Sequence, residues 1–122
     1  MKILIVDYDP VTLNVLSASL TSLGYQVITA KNGREALDIL TSSVNRDEQV
    51  KLLLTDLEIP YMSGLELIRS VRKMIPGLPA ILMTAFSDRR VRDEVRRLDC
   101  CVYMEKPFKP EALLEKINEI RL

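Results

Sequence analysis

The chain has 122 residues, 48% hydrophobic and 28% charged, and its 17 basic and 17 acidic side chains cancel to zero formal charge. That length suits one domain over residues 1–122 with a core of its own. The balanced charge excludes a general nucleic-acid or membrane-surface binder. No apolar run approaches the roughly 20 residues a bilayer crossing needs, and the start has no signal-peptide pattern, so the expected location is cytoplasmic.

Strand and helix patterns alternate five times along the chain. Ile3 to Val6 reads as a buried strand that stops on Asp7, and Pro10 suits the first turn of a helix carrying Leu13, Leu16, Leu20 and Leu23 inward, closed by Gly24. Tyr25 to Thr29 is a short second strand, and Asn32-Gly33 leads into a helix bearing Ala36, Leu37, Leu40 and Val44. Thr41 to Gln49 is polar, mixed in charge and reads as a loop. Leu52 to Thr55 is the third strand and stops on Asp56. Pro60 and Gly64 then punctuate a loop, with Ser63 placed to cap a helix bearing Leu67, Ile68, Val71 and Ile75.

Ala80 to Met83 forms the fourth strand and ends on Thr84. Ser87 or Asp88 can cap a helix whose apolar stripe is Val91, Val95 and Leu98. Cys101 to Met104 is the fifth strand, followed directly by Lys106-Pro107. Pro110 opens a last helix with Leu113, Leu114, Ile117 and Ile120 facing inward. Runs apolar at successive positions are the habit of parallel strands covered on both faces. The expected fold is therefore α/β, a doubly wound five-stranded parallel sheet of flavodoxin-like (βα)5 type in a single domain.

Such sheets bind ligands beyond the carboxyl ends of their strands. Asp7, Asp9, Asp56, Thr84 and Lys106 all fall there. Each has a plainer reading when taken alone: Asp7 and Asp9 as capping or turn residues, Thr84 as a strand-end threonine, Lys106 as a solvated lysine. Asp56 is harder to dismiss, because a carboxylate close behind three leucines needs a partner or a purpose. Carboxylates suit Mg²⁺, a lysine offers point charge to phosphate and a hydroxyl offers a donor. Together they suit phosphoryl transfer, in which an aspartate can itself be the nucleophile.

There is no histidine, so Ser–His and Cys–His nucleophile pairs are excluded and the chain cannot itself carry a phosphohistidine. Cys100 and Cys101 are adjacent and too few for a zinc set; they read as buried thiols beside a strand.

Three segments carry a family resemblance: Asp56-Leu57-Glu58-Ile59-Pro60 with Gly64, Ile81-Leu82-Met83-Thr84-Ala85, and Tyr103-Met104-Glu105-Lys106-Pro107-Phe108. In this order they are similar to the receiver domain of bacterial two-component response regulators, over essentially the whole chain. The resemblance implies that Asp56 accepts a phosphoryl group from a sensor histidine kinase or phosphotransfer protein. It implies Mg²⁺ held by Asp7, the Asp56 carboxylate and the main-chain oxygen of Glu58, with Asp9 a further candidate. Lys106 would pair with the phosphoryl group. Thr84 would bond it and let Tyr103 rotate inward, and the Lys106–Pro107 peptide would be cis. The face made by the fourth helix, fifth strand and fifth helix would then bind a second copy or a downstream effector. Such a module is not a dedicated enzyme.

Two departures stand out. The family's first loop usually has two adjacent acids, whereas Tyr8 follows Asp7 here, and Asp9 comes next. Fewer carboxylates weaken Mg²⁺ binding unless Asp9 compensates. The family's Gly-Ala pair before the fifth strand is replaced by Asp99-Cys100, behind a helix rich in arginine: Arg89, Arg90, Arg92, Arg96 and Arg97. That helix reads as a solvated face or as a dock for an acidic partner. Two rival functions remain in view. One is a degenerate receiver that acts as an interaction module without phosphorylation. The other is a haloacid-dehalogenase-type phosphatase using Asp7, suggested by Asp7-Tyr8-Asp9-Pro10-Val11 but with Asp56 out of that family's order.

Overall fold

The computed structural model describes residues 1–43, 49–86 and 88–121. Ten elements alternate: β1 (Lys2–Val6), α1 (Pro10–Ser22), β2 (Gln26–Ala30), α2 (Gly33–Ser43), β3 (Val50–Asp56), α3 (Gly64–Met74), β4 (Ala80–Thr84), α4 (Arg89–Arg96), β5 (Cys101–Glu105) and α5 (Pro110–Arg121). The strands form one parallel sheet in the order β2-β1-β3-β4-β5. This is the doubly wound architecture expected from the alternating apolar runs.

Strand side chains alternate between two apolar cores. Leu4, Val6, Leu53, Ala80 and Leu82 face α2, α3 and α4, where Ala36, Leu40, Leu67, Ile68, Val71 and Val95 meet them. Ile3, Ile5, Leu52, Leu54, Ile81 and Met83 face α1 and α5, against Leu13, Leu16, Leu20, Leu113 and Ile117. Burial on both faces is why these strands read as unbroken apolar runs rather than as alternating ones. One irregularity breaks the alternation. Pairing with β1 shifts between Lys2 and Ile3, so Lys51 is skipped and Val50 joins the same core as Leu53.

The ends of the elements correct the sequence reading in detail. Leu23 is the C-cap of α1 and 48% exposed, because the chain leaves the helix before its side chain can turn inward. Thr41–Ser43 belong to α2 rather than to the loop, and Leu114 is only partly buried. Cys100 is exposed with φ +55°, not buried; Cys101 is partly buried, and burial pushes its thiol up to about 11. Val44 and Ser87 lie outside the described residues. Asp88 caps α4 through its bond from the Arg90 N–H, and Ser63 forms a reciprocal capping box with Glu66 on α3.

Candidate functional site

Each site residue is placed by a backbone bond that extends a strand ladder by one residue. The Asp7 N–H donates to Ala30, Leu57 N–H to Met83 and Lys106 N–H to Thr84, at 3.1, 2.8 and 2.8 Å. Asp7, Asp56, Thr84 and Lys106 are thereby held at the carboxyl ends of β1, β3, β4 and β5. Gly64 tightens the same edge: its N–H donates to Leu57 at 2.7 Å, and a Cβ there would press on the Asp56 main-chain oxygen and lie 2.9 Å from Leu82 Cδ1. Only glycine allows α3 to start that close to the Asp56 backbone.

Lys106 Nζ lies 2.7 Å from Asp7 Oδ2 and 3.5 Å from Asp56 Oδ1, so one ammonium serves two carboxylates. Asp7 is 2% exposed, and its other oxygen accepts from the Asp9 N–H at 2.9 Å. Asp56 is more open than Asp7. Burial raises its pKa above the ordinary carboxylate value, Lys106 opposes that shift and the nearby Asp7 charge adds to it. The Lys106–Pro107 peptide is cis.

Asp9 sits elsewhere. Its carboxylate caps α1, accepting from the Val11 N–H at 3.1 Å and the Thr12 hydroxyl at 2.8 Å. Those bonds, the Thr12 one first, hold its pKa below the ordinary value. Glu58 is exposed two residues beyond Asp56. Thr84 is buried, and its Oγ1 donates to the Phe86 carbonyl at 3.2 Å while accepting from the Phe86 N–H at 3.1 Å. Tyr103 packs against the core beneath α4, and its hydroxyl donates to the same carbonyl at 3.3 Å.

Three features escaped the sequence reading. The Phe86 carbonyl is a main-chain group, which residue type does not reveal. Tyr61 adopts φ +77°, a left-handed conformation unfavourable for a side chain of its size, and the Arg34 guanidinium lies 4.6 Å over its ring. Gly64 read as loop punctuation, although a glycine just behind a capping serine hints at a close approach.

The donor set can be tested against a divalent cation. Two carboxylates at adjacent strand ends, with a main-chain oxygen two residues beyond one of them, offer hard oxygen ligands of the kind Mg²⁺ takes with water completing its shell. They fit that ion, with few carboxylates. Among the described residues no helix is long and apolar enough to cross a membrane.

Comparison with known proteins agrees with this geometry. The family model for the response regulator receiver domain matches residues 3–118. A chemotaxis protein CheY homolog of Campylobacter jejuni is 35% identical over 98% of this chain and 92% of its own length. The receiver domain protein from Clostridium thermocellum superposes with a TM-score of 0.89 at 27% identity, covering 98% of this chain and 92% of that one. Response regulator protein TrrA from Thermotoga maritima, solved in complex with Mg²⁺–BeF, gives 0.83 at 34% identity over 98% of this chain and 97% of its own.

Proposed function

This chain belongs to the response regulator receiver domain family, and from that premise we propose that it is a phosphorylation switch whose acceptor is the Asp56 carboxylate. Members of the family are signalling modules rather than dedicated enzymes. The observation that carries the reading is the shared ammonium. Lys106 holds a buried Asp7 and a more open Asp56 at one sheet edge, and the more open carboxylate is the one an incoming group would reach. The burial of Asp7 runs against a phosphatase that would use it as nucleophile.

In the proposed transfer, an Asp56 oxygen attacks the phosphorus of a phosphohistidine on a sensor histidine kinase or phosphotransfer protein. The P–O bond forms as the P–N bond breaks, and the imidazole leaves with the electron pair and is reprotonated on the partner. Lys106 neutralises charge on the phosphoryl oxygens, and the Thr84 hydroxyl donates to one of them. Mg²⁺, when held by Asp7, the Asp56 carboxylate and the Glu58 main-chain oxygen, would supply further charge neutralisation. Thr84 then gives up its bond to the Phe86 carbonyl, and Tyr103 is left as that carbonyl's donor. The change reaches the surface of α4, β5 and α5, where a second copy or an effector docks.

The partner's approach has a candidate surface. A groove of about 270 Å³ beside Lys106 is lined by Val11, Val15, Pro107 and Phe108, with Val11 and Val15 exposed. An apolar surface of the phosphodonor would suit it. Intact-protein mass after treatment with a small phosphodonor and Mg²⁺ tests the acceptor: a phosphoryl gain in the wild type and none in Asp56→Asn is expected. No gain in the wild type with any divalent ion sinks the proposal and favours the phosphorylation-independent module.

A further inference from the structure

Two residues beside the loop that leaves Asp56 sit where local chemistry disfavours them. Tyr61 is 71% exposed and left-handed at φ +77°, a conformation that a bulky side chain rarely adopts. Arg34 puts a cation in the first turn of α2, the helix end where the macrodipole opposes positive charge. Among the described residues no carboxylate pairs with it. The two meet each other, with the Arg34 guanidinium 4.6 Å over the Tyr61 ring. Local rules broken at two touching residues point to a constraint on the contact itself.

We infer that Arg34 and Tyr61 form a latch that fixes the loop between Asp56 and Gly64 against α2, and thereby positions the Asp56 carboxylate for transfer. The inference rests on the phosphoacceptor reading of Asp56. The inner side of the loop is held by Leu57, Ile59 and Met62, which pack on the core shared with α2 and α3. Met62 also reaches the first turn of α2. A Cβ on Gly33 would lie 2.6 Å from Met62 Cγ, so a glycine there lets the two segments close up. That turn is itself pinned: the Glu35 N–H donates to Asn32 Oδ1 at 2.9 Å, and Asn32 Nδ2 donates back to Glu35 Oε2 at 3.2 Å. On the outer side the Arg34–Tyr61 contact closes over the loop. The β3 ladder fixes the backbone entering Asp56, and this loop is the backbone leaving it. A loop ordered before the donor arrives needs no ordering during transfer, and small displacements of a reacting group cost heavily in rate. Arg34 and Tyr61 act through the loop and are positioning residues.

The test follows phosphorylation of Asp56 over time by intact mass, with a small phosphodonor and Mg²⁺, beside amide hydrogen exchange of residues 57–63 and urea midpoints. Tyr61→Asn tolerates the left-handed backbone but lacks the ring. It should keep or raise the urea midpoint, yet take up phosphate about threefold or more slowly, with faster exchange in the loop. Arg34→Ala should slow transfer to the same extent, and the double variant no further than either single one. Tyr61→Phe keeps the ring and should keep the wild-type rate. A wild-type rate in Tyr61→Asn, additive losses in the double variant, or an equal loss in Tyr61→Phe overturns the inference. Slower transfer that tracks a lowered midpoint in Tyr61→Asn overturns it too, because a merely structural contact would lose both together. Failure of the phosphoacceptor reading shows separately, as no mass gain in the wild type, and loop exchange unchanged in Arg34→Ala would still refute the latch.

Discussion

Thr84 and Tyr103 share one acceptor: both hydroxyls donate to the Phe86 carbonyl, at 3.2 and 3.3 Å, Thr84 from the end of β4 and Tyr103 from the middle of the adjacent β5. Thr84 also accepts from the Phe86 N–H, so a single buried hydroxyl closes the loop after β4 on both sides. Any force on the Thr84 hydroxyl is therefore felt by the carbonyl that Tyr103 holds.

Removing the two hydroxyls should have unequal effects. Tyr103→Phe deletes one bond at a partly exposed position and should cost about 0.5–1.5 kcal/mol. Thr84→Val deletes two and strands the Phe86 N–H, so about 1–3 kcal/mol is expected. Urea unfolding of both variants and of the double variant measures this, and equal losses would contradict the arrangement.

Lys106→Met leaves the buried Asp7 carboxylate without its cation. Breaking a buried pair from one side costs about 3 kcal/mol or more. Asp7→Asn added to Lys106→Met should recover part of that loss at neutral pH, because the more deeply buried of the two carboxylates is then neutral and only the more open Asp56 lacks its cation. Urea midpoints that fall further in the double variant would refute the pairing.

The raised pKa of Asp56 sets the sign of a pH effect. The folded state holds the Asp56 proton more tightly than the unfolded chain, chiefly because burial disfavours the carboxylate. Its contribution to stability is full below the unfolded pKa and is lost as pH rises through the folded one. Asp56→Asn should therefore stabilise the protein at neutral pH, with the gain shrinking as pH falls through the carboxylate range. A gain that grows toward acid in paired denaturation curves would reverse the assignment.

Gly64→Ala should disturb Asp56 without touching its side chain. The new Cβ presses on the Asp56 main-chain oxygen and on Leu82, so overpacking of about 1–3 kcal/mol is expected together with slower phosphorylation. Gly24→Ala is the control: with φ +94° and open space around it, it should cost stability alone. Equal phosphorylation rates in the two variants would show that the close approach does not matter.

The arginines of α4 give a salt-dependent test of the signalling face. Arg89, Arg90 and Arg96 are exposed; Arg69 pairs with Glu94, and Arg96 lies 3.8 Å from Asp93. Reversing Arg92 and Arg96 to glutamate should weaken an acidic partner several-fold at low salt. The difference should fade toward about 1 M salt, where screening acts within roughly 3 Å. Unchanged binding at low salt would mark the helix as a solvated face.

Element order, the parallel sheet and most core residues were legible in the sequence, because burial on both faces leaves unbroken apolar strand runs and helices repeat their apolar residues at a fixed period. The site residues were legible as candidates for the same reason: Asp7, Asp56, Thr84 and Lys106 each follow such a run, and strand ends share an edge. Helix ends were less so. Leu23 and Thr41–Ser43 depend on where the chain turns away, which local propensity fixes poorly.

Tertiary structure alone decided what each candidate touches. Asp7 and Asp9 are two residues apart, yet one is buried against Lys106 and the other caps α1 in solvent. Asp56 and Lys106 meet because β3 and β5 flank β4, a pairing that no local pattern encodes. The Phe86 carbonyl and the crowding at Gly64 are main-chain relationships, and residue type is silent about those. Composition and periodicity specify which surfaces must be buried. Charge and hydrogen-bond partners are settled only when segments far apart in the chain are brought within a few ångströms.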